Sequence, residues 1–238
     1  SYLTSAVDVL IILMVILFGL FNNVDLWLRD LAFSPMVTGL LFFGILFIFQ
    51  DIISTPFSLY RTFIIEENFG FNKTTPKTYL VDKLKSYFLL IILGGLILSL
   101  ILFFFNRFGD LAWLYAWIFL SAFLVLIQPL FTLFIAPMFN TFTPLEDGEL
   151  KDKINTFAEK VNFPISRIDV MDGSRRSSKS NAYFSGLGKN KRIALFDTLI
   201  ENHSEDELLS IIAHEVGHYK KKHNIKGIIM GVIQTGIM

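Results

Sequence analysis

The first 140 residues alternate long apolar blocks with short polar connectors. The blocks are Val9–Phe21, Met36–Phe49 running on through Gln50 and Asp51 to Tyr60, Tyr87–Phe105, and Leu111–Ile127 continuing past Gln128 and Pro129 into Leu130–Phe139. A membrane-spanning helix needs roughly 17–25 mostly apolar residues. The third block meets that length directly and the others meet it with their extensions, so the pattern predicts about four spans over residues 1–140. Amphipathic patterning within the blocks is slight, which disfavours buried core helices of a soluble protein. Gln50, Asp51, Asn106 and Gln128 interrupt the apolar runs. Each is expected at a helix end or facing protein, water or the interface, because a polar group against lipid is costly. Pro56, Pro129 and Pro137 are expected at kinks or helix ends.

From Thr141 the pattern shortens and becomes polar. Thr143–Gly148 reads as a turn leading into an amphipathic helix, Glu149–Asn162, with apolar positions at Leu150, Ile154, Phe157, Ala158 and Val161. Phe163-Pro164 ends it. Short strands are predicted at 168–172, 181–187 and 192–196, with a polar loop at 173–180 and a turn at Gly188-Lys189-Asn190-Lys191. Residues 141–226 therefore form a small α+β domain, and residues 227–238 begin a further apolar helix.

Charge orients this arrangement. The connector 61–86 carries Arg61, Lys73, Lys77, Lys83 and Lys85, and the region after Phe139 is rich in Lys and Arg. Residues 22–35 carry Arg29 against Asp25 and Asp30, and residues 106–110 carry only Arg107. Basic loops stay on the cytoplasmic side, so 61–86 and 141–226 are expected there together. Formal net charge is zero, which suggests no nucleic-acid partner. With no cysteine among 238 residues, disulfides and thiolate metal sites are excluded. The chain has no initiator Met and stops inside an apolar run, so both ends read as cut from something longer. No basic segment followed by a small-residue cleavage site marks a signal peptide.

The chemistry concentrates in one helix. Ser204-Glu205-Asp206-Glu207 fits a capping box that opens a helix running to about Lys222. Within it stands His214-Glu215-Val216-Gly217-His218. Histidines four apart share one helix face, a turn apart, and that spacing lets both rings ligate one zinc ion per chain. Glu215, beside the first ligand, can reach the attacking water as general base and pass the proton to the leaving amine. By ordinary residue frequencies the five-residue pattern arises on the order of once in a hundred chains of this length. The plainer alternative is a surface Glu between two surface histidines. His223 is off the spacing of longer zinc-protease signatures and reads as a residue behind the ligands or on the surface. A catalytic zinc takes three protein ligands. Asp197, Glu201, Glu205 and Asp206 lie too near in sequence to be nominated, so the third is expected beyond Met238.

At these residues the chain resembles the membrane zinc metallopeptidases that include the type 1 CAAX prenyl proteases. The likeness extends beyond the metal helix to 65–72 (IEENFGFN), 135–145 (IAPMFNTFTPL), 180–186 (SNAYFSG) and 192–199 (RIALFDTL). It implies a mostly α, multi-pass transmembrane helical bundle with a small α+β zinc-peptidase domain of gluzincin-like character, facing a water-filled chamber. It implies zinc held by His214, His218 and a later glutamate, with Glu215 catalytic. It also implies that Asn181, Ala182 and Tyr183 lie on an edge strand that binds substrate backbone; without the family, an ordinary half-buried strand is the simpler reading. Lys179 stands where relatives often have His, which puts any part of that position in substrate contact or oxyanion stabilisation in doubt.

Three functions compete. One is an integral membrane zinc endopeptidase cleaving prenylated CAAX-type C-terminal peptides, or similar membrane-associated peptides, with its peptidase domain on the cytoplasmic side. Another is a quality-control metalloprotease with broad membrane-protein substrates, since the same site serves both. The third is a non-catalytic membrane protein keeping a relic site. The first two share their partners, peptide and lipid bilayer, and differ in substrate selection.

Overall fold

A computed structural model describes residues 2–185 and 191–237. Gly188–Asn190 of the turn predicted at 188–191 and the last two residues of the strand predicted at 181–187 lie outside those residues, while Lys191 begins a strand rather than closing a turn. In chain order the helices α1 (Tyr2–Leu17), α2 (Leu20–Asp30), α3 (Pro35–Tyr60), α4 (Pro76–Leu89), α5 (Gly95–Phe108), α6 (Ala112–Leu130) and α7 (Ala136–Phe139) come first. Strand β1 (Phe142–Pro144), α8 (Glu149–Lys160), β2 (Ile165–Met171), β3 (Ala182–Ser185), β4 (Lys191–Phe196), α9 (Asp197–Asn202), α10 (Glu205–Lys220) and α11 (His223–Ile237) follow.

The chain divides into two compact units, residues 1–66 with 89–113, and residues 67–88 with 114–238. The first is helical. Helices α1 and α2 meet at a 57° bend, made by Gly19 in the left-handed region at φ 61. Helix α3 begins at Ser34, an extended N-cap, with Pro35 in the first turn where its missing N–H costs nothing. It packs on α5 at Gly39, where a Cβ would lie 2.8 Å from Leu102 Cδ1. A side chain at 39 would require the Leu102 side chain to move aside. Pro56 and Pro129 sit inside helices, each followed by a π-type turn at 61–66 and 131–135, the widening that lets a helix continue past a disrupted bond. Pro137 lies in the first turn of α7.

Among the described residues two helical stretches are long and apolar enough to cross a membrane, Pro35–Glu66 and Pro76–Phe139, with residues 6–30 a third if the bent pair is one span. As one straight helix the 64 residues of the second stretch would need about 96 Å at 1.5 Å per residue, roughly three times the hydrocarbon thickness. Gly109, at φ 52, interrupts it.

The second unit holds the sheet, ordered β1-β2-β4-β3. β2 and β4 run parallel, and β1 and β3 flank them antiparallel. Three strands fall near their predicted places. β1 was not predicted: Thr143 and Pro144 read as turn, whereas they pair with Val170 and Asp169. Proline has no N–H for a ladder, and it is tolerated because β1 is an edge strand. Helices α8 and α10 bury Ile154, Leu208, Ile212 and Val216 with Ile193 and Leu195 of β4 in one core. Asp169, wholly buried on β2, is neutralised by Arg167 at 2.6 Å and by the Arg192 guanidinium.

Candidate metal centre

Helix α10 is positioned from both sides. At its start the Ser204 backbone N–H and hydroxyl each donate to Glu207 Oε2 at 2.8 Å. Two bonds to the charged form hold the Glu207 carboxyl below its ordinary pKa. Leu208, Ile212 and Val216, spaced by four, are buried against the sheet. The opposite face then carries His214 and His218, both exposed, with Glu215 half-buried between them. Core packing on one face thus aims the two imidazoles away from the core.

The rings converge. His214 Nε2 and His218 Nε2 stand 3.1 Å apart, with ring centroids 4.8 Å apart at 65°. Two nitrogens bound to one tetrahedral zinc at 2.0–2.1 Å would be separated by about 3.3 Å. The pair therefore fits one ion in spacing, and imidazole nitrogen suits zinc chemically. Among the described residues, no set of three His, Cys, Asp or Glu is arranged to hold a metal. Two of the acids near the histidine pair in sequence are engaged elsewhere. Asp197 accepts from the Ser174 N–H at 2.8 Å and from its hydroxyl, and Glu205 pairs with Lys153 at 2.8 Å.

Strand β3 lies at the edge of the sheet and packs against α10. Phe163 ties the two together, its ring 5.0 Å from Phe184 on β3 and 4.9 Å from Tyr219 on α10, edge-on to both. Asn181 C=O turns inward and accepts from the Phe196 N–H at 3.0 Å. By the alternation of an antiparallel ladder, Ala182 and Phe184 then carry the backbone groups on the free edge. The Ala182 N–H is met by its neighbour's side chain, Asn181 Oδ1, at 2.9 Å. Tyr183 is half-buried, and burial pushes its phenol pKa up while Arg192 pulls it down. Lys179 stands with its ammonium 4.9 Å from the Phe71 ring centre.

One feature escaped the sequence reading. The loop 173–178 is an anchor: Arg176 grips Asp82 at 2.7 and 2.9 Å, Asn140 Oδ1 at 2.9 Å and the Phe139 carbonyl at 2.6 Å. His223, read from sequence as lying behind the ligands or on the surface, is exposed and has its Nδ1 2.7 Å from His218 Nδ1. The Arg176 contacts carried no sequence signal, because the partners lie 36 to 94 residues away.

Known proteins match this arrangement along the whole chain. A family model described as the CAAX prenyl protease N-terminal region, with five membrane helices, matches residues 1–141, and the model of peptidase family M48 matches residues 144–238. The chain belongs to the M48 family of CAAX prenyl proteases. This M48 chain is 44% identical over 215 residues to CAAX prenyl protease 1 of Saccharomyces cerevisiae, covering 90% of the chain and 47% of that protein. It is 45% identical over 175 residues to the CAAX prenyl protease 1 homolog of Arabidopsis thaliana, covering 73% and 41%. The crystal structure of S. mikatae Ste24p superposes with a TM-score of 0.90 at 40% identity, over 97% of this chain and 56% of that one. The chain spans about half the length of the curated relatives it matches. Membership implies a metal cofactor and an integral membrane protein with a multi-pass, mostly helical fold.

Proposed function

We propose that this protein is a zinc endopeptidase acting on prenylated CAAX-type C-terminal peptides, with His214 and His218 as metal ligands and Glu215 as general base. The observation that carries the reading is the 3.1 Å convergence of two Nε2 atoms on the exposed face of a helix whose other face is locked in the core. Zinc bound there would act as a Lewis acid, lowering the pKa of the attacking water and polarising the scissile carbonyl. A catalytic zinc takes a third protein ligand besides these two histidines. Glu215 takes the proton of the water as it attacks and delivers it to the leaving amine, which conserves protons across the cycle. Substrate adds as a strand along β3, meeting the edge-facing backbone groups of Ala182 and Phe184 and displacing Asn181 Oδ1 from the Ala182 N–H, with Asn181 and Tyr183 flanking them. The Phe163 contact between Phe184 and Tyr219 keeps that strand in fixed relation to the metal helix.

The membrane arrangement follows the same reading. Division of Pro76–Phe139 at Gly109 makes two spans, which with 6–30 and 35–66 gives four over residues 1–140. The connector after α3 meets the peptidase loop directly: the Lys73 N–H donates to the Arg176 carbonyl at 3.0 Å, and the Ser178 N–H to the Phe71 carbonyl at 3.1 Å. These contacts support placing 61–86 and 141–226 on one side, and their Lys and Arg content makes that side cytoplasmic. CAAX prenyl protease 1 relatives of comparable identity in yeast and plants favour the prenylated substrate over broad quality-control substrates. The test is cleavage of a farnesylated CAAX peptide by the intact protein and by its Glu215→Gln variant. Loss of turnover in the variant alone supports the proposal. Equal cleavage by both, or by neither while unprenylated peptides are cut, contradicts it.

A further inference from the structure

We propose that His223 is a positioning residue that holds His218 in the tautomer and ring orientation leaving Nε2 for the metal; the inference rests on the zinc-site reading above. The observation is a row of three imidazoles. His218 directs Nε2 toward His214 Nε2 at 3.1 Å and Nδ1 toward His223 Nδ1 at 2.7 Å. The His218 and His223 rings meet at 76° with centroids 4.8 Å apart. A neutral imidazole has one N–H and one lone pair. A nitrogen that binds a metal must offer its lone pair, so the proton of His218 resides on Nδ1. His223 Nδ1 is then the acceptor, and the His223 proton sits on its own Nε2. Metal-binding histidines donate their second N–H to a carboxylate, carbonyl or water that fixes the ring. Here a histidine fills that role.

The backbone delivers His223 to this place. On an uninterrupted helix a residue five positions after His218 would point about 140° away from it. Instead α10 closes with the Lys221 N–H on the Gly217 carbonyl at 3.1 Å and the Lys222 N–H on the Tyr219 carbonyl at 2.8 Å. Lys222 adopts φ 55, a left-handed conformation unfavourable for a residue with a side chain. That single residue turns the chain so that the first position of α11 comes back to His218. Helix α11 is in turn fixed to α6: the Trp117 indole N–H donates to the Val232 carbonyl at 2.9 Å, and a Cβ at Gly236 would lie 2.8 Å from the same indole nitrogen. The acceptor is therefore held by a packed helix and a strained turn, as a positioning group requires.

The experiment measures zinc affinity of the intact protein by chelator competition, together with the visible spectrum of the cobalt-substituted form. Wild type is compared with His223→Ala, His223→Phe and His223→Asn. Phe keeps ring volume without an acceptor; Asn places an acceptor oxygen near the Nδ1 position. Ala and Phe are expected to weaken zinc about 10–100-fold and to shift the cobalt bands, and Asn to restore most of both. Zinc binding by Ala and Phe equal to wild type overturns the inference, as does an Asn variant no better than Phe, which would make the contact one of packing. Should Ala fail to fold, the Asn and Phe pair decides. A wild type that binds no metal at His214 and His218 removes the zinc-site reading itself, an outcome distinct from variants that bind as wild type does.

Discussion

The helices of the first unit and the sheet domain of the second are both rich in large apolar residues, and they dispose of them in opposite ways. In the first, Leu17 is 81% exposed, Ile91 72% and Ile52 65%, and among the described residues Leu28 is the large side chain taken fully inside. In the sheet domain Ile154, Ile193, Leu195 and Ile212 are at 0%. The difference is one of solvent. Water drives the sheet and α10 together by expelling apolar surface. Lipid gives no such drive, so helices there associate by close packing at small residues, as α3 and α5 do at Gly39 and Leu102. Burial therefore measures stability in one region and says little in the other. The metal helix belongs to the water-driven region, which is why its ligands can be aimed by a core.

The largest expected effect separates chemistry from both scaffolds. Glu215→Gln should lower turnover of a farnesylated peptide by at least about 10²–10⁴-fold while leaving expression and thermal midpoint unchanged. A parallel fall in thermal midpoint would make Glu215 structural. Next, Ile212→Ala should cost about 2–5 kcal/mol through the cavity it leaves, whereas Ile91→Ala should cost under about 1 kcal/mol because lipid fills the space. Thermal unfolding of the two variants in the same detergent checks this, and equal losses would erase the distinction between the regions. Ile91→Lys sharpens it further, with a membrane-insertion penalty of up to about 3 kcal/mol, read as reduced insertion in a glycosylation-mapping assay.

The smallest effect is a pH dependence confined to α10. The Glu207 carboxyl is held below its ordinary pKa by the two Ser204 donors. Its stabilisation is complete above the ordinary carboxylate pKa and is lost as pH falls through the folded value. Amide-exchange protection in the first turn of α10 should therefore drop below about pH 4, and Glu207→Gln should remove that dependence. Protection that rises on acidification would contradict the capping assignment.

Much of this was legible in sequence for local reasons. The capping residues, the i, i+4 histidines and the apolar spacing of Leu208, Ile212 and Val216 are short-range patterns that a helix makes directly into geometry. The strand predicted at 192–196 was legible because the apolar run Ile193-Ala194-Leu195-Phe196 follows a turn signal; Lys191, read as turn, is its first residue. What stayed hidden depended on distant partners or short elements. β1 was masked by Pro144, which a turn and an edge strand both accept. α9 is a single six-residue helix with too little periodicity to show. Arg176 read as one more polar loop residue, although the fold closes Asp82 and Asn140 around it. His223 read as a residue behind the ligands or on the surface, and its contact with His218 stayed hidden because it depends on the left-handed turn at Lys222.

Metal analysis of the intact, purified protein and of its His214→Ala/His218→Ala variant tests most directly whether two imidazoles one turn apart grip a divalent ion. About one zinc per chain in the wild type, and a near-complete loss in the variant with its fold retained, is the expected result. Zinc retained by the variant, or a wild type that cleaves peptide with no metal bound, would contradict it.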